Sequence, residues 1–96
     1  MGAYDKYNVT LVTADAAVKA SSAHIWAVLL TAQGADVDVV LYDDPDSANG
    51  DKVFQASALN GTTVWVPLKD VGGIAAPLGI YADITGSGVQ CYVWFE

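Results

Sequence analysis

Arginine is absent from this 96-residue chain, and lysine occurs only at Lys6, Lys19, Lys52 and Lys69, against eleven acidic residues and a formal charge of −7. Recognition of nucleic acid needs clustered cations to neutralise phosphates, so four scattered lysines exclude it. The same acidity disfavours an anionic membrane surface. Cysteine and histidine are nearly absent as well. Cys91 stands alone, which rules out an intramolecular disulfide. Its neighbours Tyr92, Val93, Trp94 and Phe95 mark it as a small buried hydrophobe. His24 is the single imidazole, too few ligands for a His/Cys zinc site. Ser21 and Ser22 lie so close to it in sequence that a strand cannot give a Ser–His pair its geometry. No Gly-x-Ser-x-Gly elbow occurs. The nearly uncharged stretch from Ala20 to Ala35 is broken by Ser, His, Gln and Gly, short of the ~20 apolar residues of a membrane span. Met1–Tyr7 has neither a basic nor an apolar leader region, so no secretory signal is expected. Together these absences point away from an enzyme and from any cofactor.

What the chain has in quantity is apolar surface: 53% of residues are hydrophobic and 16% charged. A domain of this length buries only ~60–65% of the surface its unfolded chain exposes. Part of the apolar excess is therefore expected to face another protein. The single domain expected over residues 1–96 is punctuated by turn residues at Asn49–Gly50, Asn60–Gly61, Gly72–Gly73, Pro77–Gly79 and Gly86–Gly88. Runs rich in Val, Ile, Thr, Tyr and Trp between them predict strands near Tyr7–Thr13, Ala16–Ser21, Ile25–Ala32, Asp36–Tyr42, Lys52–Ala58, Thr62–Pro67, Gly79–Thr85 and Val89–Phe95. About eight short strands define an all-β chain, either a small antiparallel β-sandwich or a β-barrel, jelly-roll-like. Asn60–Gly61 predicts a two-residue type I′ hairpin.

Alternation then assigns faces. Val37, Val39 and Leu41 share one side of their strand, with Asp36 and Asp38 on the other. With Val64 and Val66 inward, Trp65 points outward. Ile25, Ala27 and Leu29 alternate with Trp26, Val28 and Leu30, and Cys91, Val93 and Phe95 alternate with Tyr92 and Trp94. Three strands thus carry apolar groups on both sides, and a strand of that kind needs a second cover, either another layer of a complete sandwich or a subunit interface. Trp26, Trp65, Tyr92 and Trp94 are the expected interface residues, since Trp and Tyr dominate contact hot spots. Met1–Asp15 is read as a candidate N-terminal arm. The loop holding Asp43, Asp44, Asp46 and Asp51 is a weak calcium candidate. Counting from Asp44 puts Asn49 where an EF-hand needs glycine, and no closing Glu follows. The other reading of this loop is a solvated hairpin turn.

Val39–Val40–Leu41–Tyr42–Asp43, then Gly50–Asp51–Lys52–Val53, then the run from Pro77 through Gly79–Ile80–Tyr81–Ala82 to Gly88 resemble small all-β structural proteins of tailed bacteriophages. The resemblance covers about half to two thirds of the chain. Members with an assigned role include capsid decoration (cement) proteins and head or tail fibre knobs. The resemblance implies a non-enzymatic virion protein, made in the host cytoplasm and seated on the capsid surface. Its implied partners are the major capsid protein and other copies of itself, as a homotrimer. The alternative it leaves open is a receptor- or carbohydrate-binding fibre module, assisted by calcium.

Overall fold

A computed structural model describes residues 6–96. Among them the chain forms nine strands: β1 (Asn8–Val12), β2 (Ala16–Lys19), β3 (Ala23–Ala32), β4 (Val37–Asp43), β5 (Asp51–Ala58), β6 (Thr63–Pro67), β7 (Ile74–Ala76), β8 (Ile80–Thr85) and β9 (Val89–Phe95), with a 3-10 turn at Lys69–Val71. They make two antiparallel sheets. One runs β1-β9-β3-β6 with β7 also on β3, and the other runs β2-β8-β4-β5. Apart from β4–β5 and β6–β7, successive strands change sheet, in the manner of a jelly roll, and the two sheets remain separate, so the fold is a sandwich and not a closed barrel.

The core between the sheets is almost purely aliphatic. Ile25, Val28, Leu30, Val39, Leu41, Ile80, Cys91 and Val93 are all fully buried there, each aliphatic side chain contributing about 1.5–3 kcal/mol. Strand β4 shows why these residues form strands: Val37, Val39 and Leu41 are buried and Asp38 is exposed, as a period of two requires. None of the three tryptophans belongs to this core.

Three sequence expectations change. First, β3 does not keep one phase. Its pairing with β9 shifts between Ile25 and Ala27, so that Trp26 is an extra residue on β3. Such a bulge flips every later side chain. Val28 and Leu30 therefore join Ile25 inside, while Ala27 and Leu29 share the outer side with Trp94 and Tyr92. Second, Asn60–Gly61 is not a hairpin. The strands beside it, β5 and β6, lie in different sheets. Positive φ is confined to Gly61 at 84°, and Thr62 N–H donates to Leu59 C=O at 3.0 Å, the pattern of a type II turn. Asn60 instead latches loops together: its side-chain carbonyl accepts from Gly34 N–H, and its own N–H donates to Asp36. Third, the short β7 was not expected. Of the candidate arm Met1–Asp15, Met1–Asp5 lies outside the described residues, and Asn8–Val12 is an edge strand paired with β9.

Candidate interaction face

Charge is divided between the sheets. The strands β1, β3, β6, β7 and β9 of the first sheet contain no Asp, Glu or Lys. Every charged strand residue among those described stands in the second sheet: Lys19, Asp38, Asp43, Asp51, Lys52 and Asp83. Across the second sheet's outer side, Asp38 pairs with Ser57 and Thr85, Val40 with Asp83 and Gln55, and Tyr42 with Tyr81 and Lys52. That side is an ordinary solvated surface with an acidic excess.

The outer side of the first sheet is different. Cross-strand register sets Leu11, Tyr92, Leu29 and Trp65 in one row. Val9, Trp94, Ala27 and Pro67 form the next. A third row, Gln90, Thr31 and Thr63, is polar but uncharged, with the two threonine hydroxyls 3.3 Å apart. Trp65 meets Trp94 edge to face at 5.4 Å, and Tyr92 lies 6.2 Å from Trp94. Ala27 is fully buried although it is outside the core between the sheets, so the side chains of this face cover it. Val9 remains 50% exposed, Leu11 46% and Trp65 46%. No strand among the described residues packs over these rows.

Trp26 belongs to the end of this face, turned there by the bulge. Its ring stacks on Tyr7 at 5.1 Å and on His24 at 4.8 Å, and its indole Nε1 is buried without a hydrogen-bond partner. His24 Nε2 lies 2.9 Å from Gly72 C=O. A carbonyl can only accept, so Nε2 is the donor in this contact. Gly73 seals the cluster. Its φ is +71°, and a Cβ there would fall 2.7 Å from His24 Cδ2 and 2.9 Å from Trp26 Cε3.

The structure thus brings together three of the four expected interface residues, Trp65, Tyr92 and Trp94, and puts Trp26 in the bulge nearby. Sequence reasoning missed Val9, Leu11, Leu29 and Pro67. In Asn-Val-Thr-Leu-Val the signal was present but easily inverted, because Val9 and Leu11 face outward while Thr10 and Val12 pair with core residues Val93 and Cys91.

The acidic loop is organised around its own backbone. Asp44 Oδ1 accepts from Asp46 N–H at 3.0 Å, Ser47 N–H at 2.9 Å and the Ser47 hydroxyl at 3.2 Å. The Asp46 N–H bond, with the bonds from Ser47 adding to it, holds the Asp44 carboxyl below its usual 3.8 against the opposing effect of desolvation. Asp43 Oδ1 is taken by Leu78 N–H at 2.8 Å. Among the described residues no group of three or more His, Cys, Asp or Glu could hold a metal ion. A shallow cavity of about 280 Å³ opens by Asp38 and Ser57, whose hydroxyl donates to that carboxylate. The imidazole that would activate a serine is on β3 of the other sheet. Burial pushes the Cys91 thiol up to about 12, which keeps it a neutral core group.

Fold and face together define a jelly-roll sandwich with one acidic, solvated side and one uncharged, aromatic side. No protein-family model, curated protein or solved structure matches the chain.

Proposed function

We propose that this protein is a non-enzymatic structural component of a bacteriophage virion, a capsid decoration protein that stabilises the head from outside. The observation that carries this reading is the segregation of charge, with an uncharged aromatic side on one sheet and the acids kept to the other. An aromatic surface with depleted charge is the chemistry of a contact core, and the acidic side keeps the assembly soluble. The virion setting rests on the resemblance of the Leu41–Tyr42–Asp43 and Gly79–Ile80–Tyr81–Ala82 segments to phage structural proteins. Jelly rolls build viral capsid and lectin domains alike, so the fold agrees with this setting without choosing it. The mechanism is linkage: a protein that binds only assembled capsid subunits raises the free energy of separating them.

The test uses particles from cells that carry the gene. An antibody against the purified chain should label intact heads in electron micrographs, and heads lacking the chain should open at lower temperature. A chain absent from purified particles would contradict the reading.

A further inference from the structure

We infer that Asn49–Gly50 is a site of spontaneous covalent modification by deamidation, and that the fold holds the chemically equivalent Asn60–Gly61 inert. This inference goes beyond the proposed function and does not rest on it. Asparagine is a thermolabile residue, most of all before glycine, whose missing Cβ leaves the next backbone nitrogen unobstructed. In the reaction Gly50 N attacks Asn49 Cγ. The N–Cγ bond forms, the Cγ–Nδ2 bond breaks, and Nδ2 leaves as ammonia with the proton from Gly50 N. Water then opens the cyclic imide at either carbonyl. The product is aspartate or, with the chain rerouted through the side-chain carbon, isoaspartate. The net change is hydrolysis of a side-chain amide, and nothing is oxidised or reduced.

By sequence the two sites are equal. Both asparagines are also exposed, so water reaches each. Their restraints differ. Asn60 Oδ1 accepts from Gly34 N–H and Asn60 N–H donates to Asp36, each at 2.8 Å. The nucleophile itself is engaged, since Gly61 N–H donates to Ala32 C=O at 2.8 Å. Attack at Asn60 therefore requires breaking the Gly61 bond and swinging the side chain off Gly34, a local opening with its own free-energy cost. Asn49 has no such restraint. Among the described residues nothing bonds its side chain or the Gly50 N–H. The bonds that order this loop run to Asp44 from Asp46 and Ser47 and stop short of Asn49.

The product changes its surroundings. It adds a carboxylate to a loop that already holds Asp43, Asp44, Asp46 and Asp51, and makes the chain one unit more negative than −7. The isoaspartyl form also adds a backbone atom directly before Gly50, where space is lacking: a Cβ on Gly50 would run into the Asp43 carbonyl. The added atom presses on the Asp43–Asp51 pair that closes β4 on β5. Asp43 also holds Leu78 N–H, so the disturbance extends to the turn before β8.

The experiment ages the purified full chain for weeks at body temperature in neutral buffer, one sample folded and one in denaturant. Peptide mass mapping follows conversion of amide to acid at each site. In the folded sample Asn49 should convert at least about tenfold faster than Asn60, and in denaturant the two rates should agree within about threefold. Asp36→Ala removes one restraint on Asn60 and should speed conversion there several-fold without changing Asn49. Amide exchange at Asp51 should lose protection as the folded chain ages, and Asn49→Gln, whose longer side chain closes the ring poorly, should prevent both the conversion and that loss. Equal rates at the two sites in the folded chain overturn the inference. So does an Asn49 that stays an amide while the denatured chain converts. Loss of Asp51 protection in aged Asn49→Gln would contradict the link from this site to the β4–β5 pairing.

Discussion

Trp26 shows how a single residue can be both misplaced in a pattern and decisive for a surface. It is the extra residue of the β3 bulge, its Nε1 is buried with no partner, and its ring lies on Tyr7 and His24. An unpaired buried donor costs about 1–3 kcal/mol. Trp26→Phe removes that donor together with part of the packing, so the two effects offset and unfolding free energy should stay within about 1 kcal/mol of wild type. Denaturant melts of both proteins decide it, and a loss above about 3 kcal/mol would show that the indole does more than pack. Gly73→Ala should behave otherwise. It combines a positive φ with a Cβ inside contact distance of His24, Ile25 and Trp26, and a loss of roughly 2–4 kcal/mol is expected. Cys91 is the third case. Its thiol should resist a disulfide reagent at neutral pH until denaturant is added. Between 9.0, its ordinary value, and about 12 the unfolded chain gives up the thiol proton while the folded chain keeps it. Stability should therefore fall as pH rises through that window.

Among the elements, β4 and β9 were legible because each alternates cleanly between buried and exposed or half-buried positions. The phase of β3 was not, since Ile25 to Leu30 is apolar at every position and nothing local announces a bulge. The Asn60–Gly61 turn was misread for a related reason. Asn-Gly suits a hairpin locally, but β5 and β6 must lie in different sheets to close the core, and Asn60 finds its partners in the Gly34–Asp36 loop. The sequence of the acidic β4–β5 loop suits either a turn or an ion site, and its hydrogen bonds are those of a turn. The Asp44 carboxyl is held below 3.8, chiefly by Asp46 N–H. A depressed carboxyl contributes stability above its unfolded value and loses it as pH falls through its folded value. As pH falls below about 4 the Asp46 and Ser47 amides should lose protection relative to their intrinsic exchange rates, with little change in global melting. Amide exchange read by NMR at those two residues checks this, and unchanged protection at pH 2 would contradict it.

For the whole molecule, the excess of apolar residues noted in composition resolves into a specific asymmetry. The aliphatic residues fill the space between the sheets, and the three tryptophans stay out of it. Composition could foretell the surplus but not the side, because the face depends on a bulge in β3 and on which strands the topology gathers with β9. The three-row pattern also places on that face the residues that no motif carried, Val9, Leu11 and Leu29. The most direct measurement is radical footprinting of the chain, free in solution and then assembled on phage heads, comparing one outer side with the other. Trp65 and Tyr92 report the first sheet, and Tyr42 and Tyr81, paired across β4 and β8, report the second. The account predicts that assembly lowers oxidation of Trp65 and Tyr92 several-fold and leaves Tyr42 and Tyr81 unchanged. Protection of Tyr42 and Tyr81 with Trp65 still open to oxidation would contradict it.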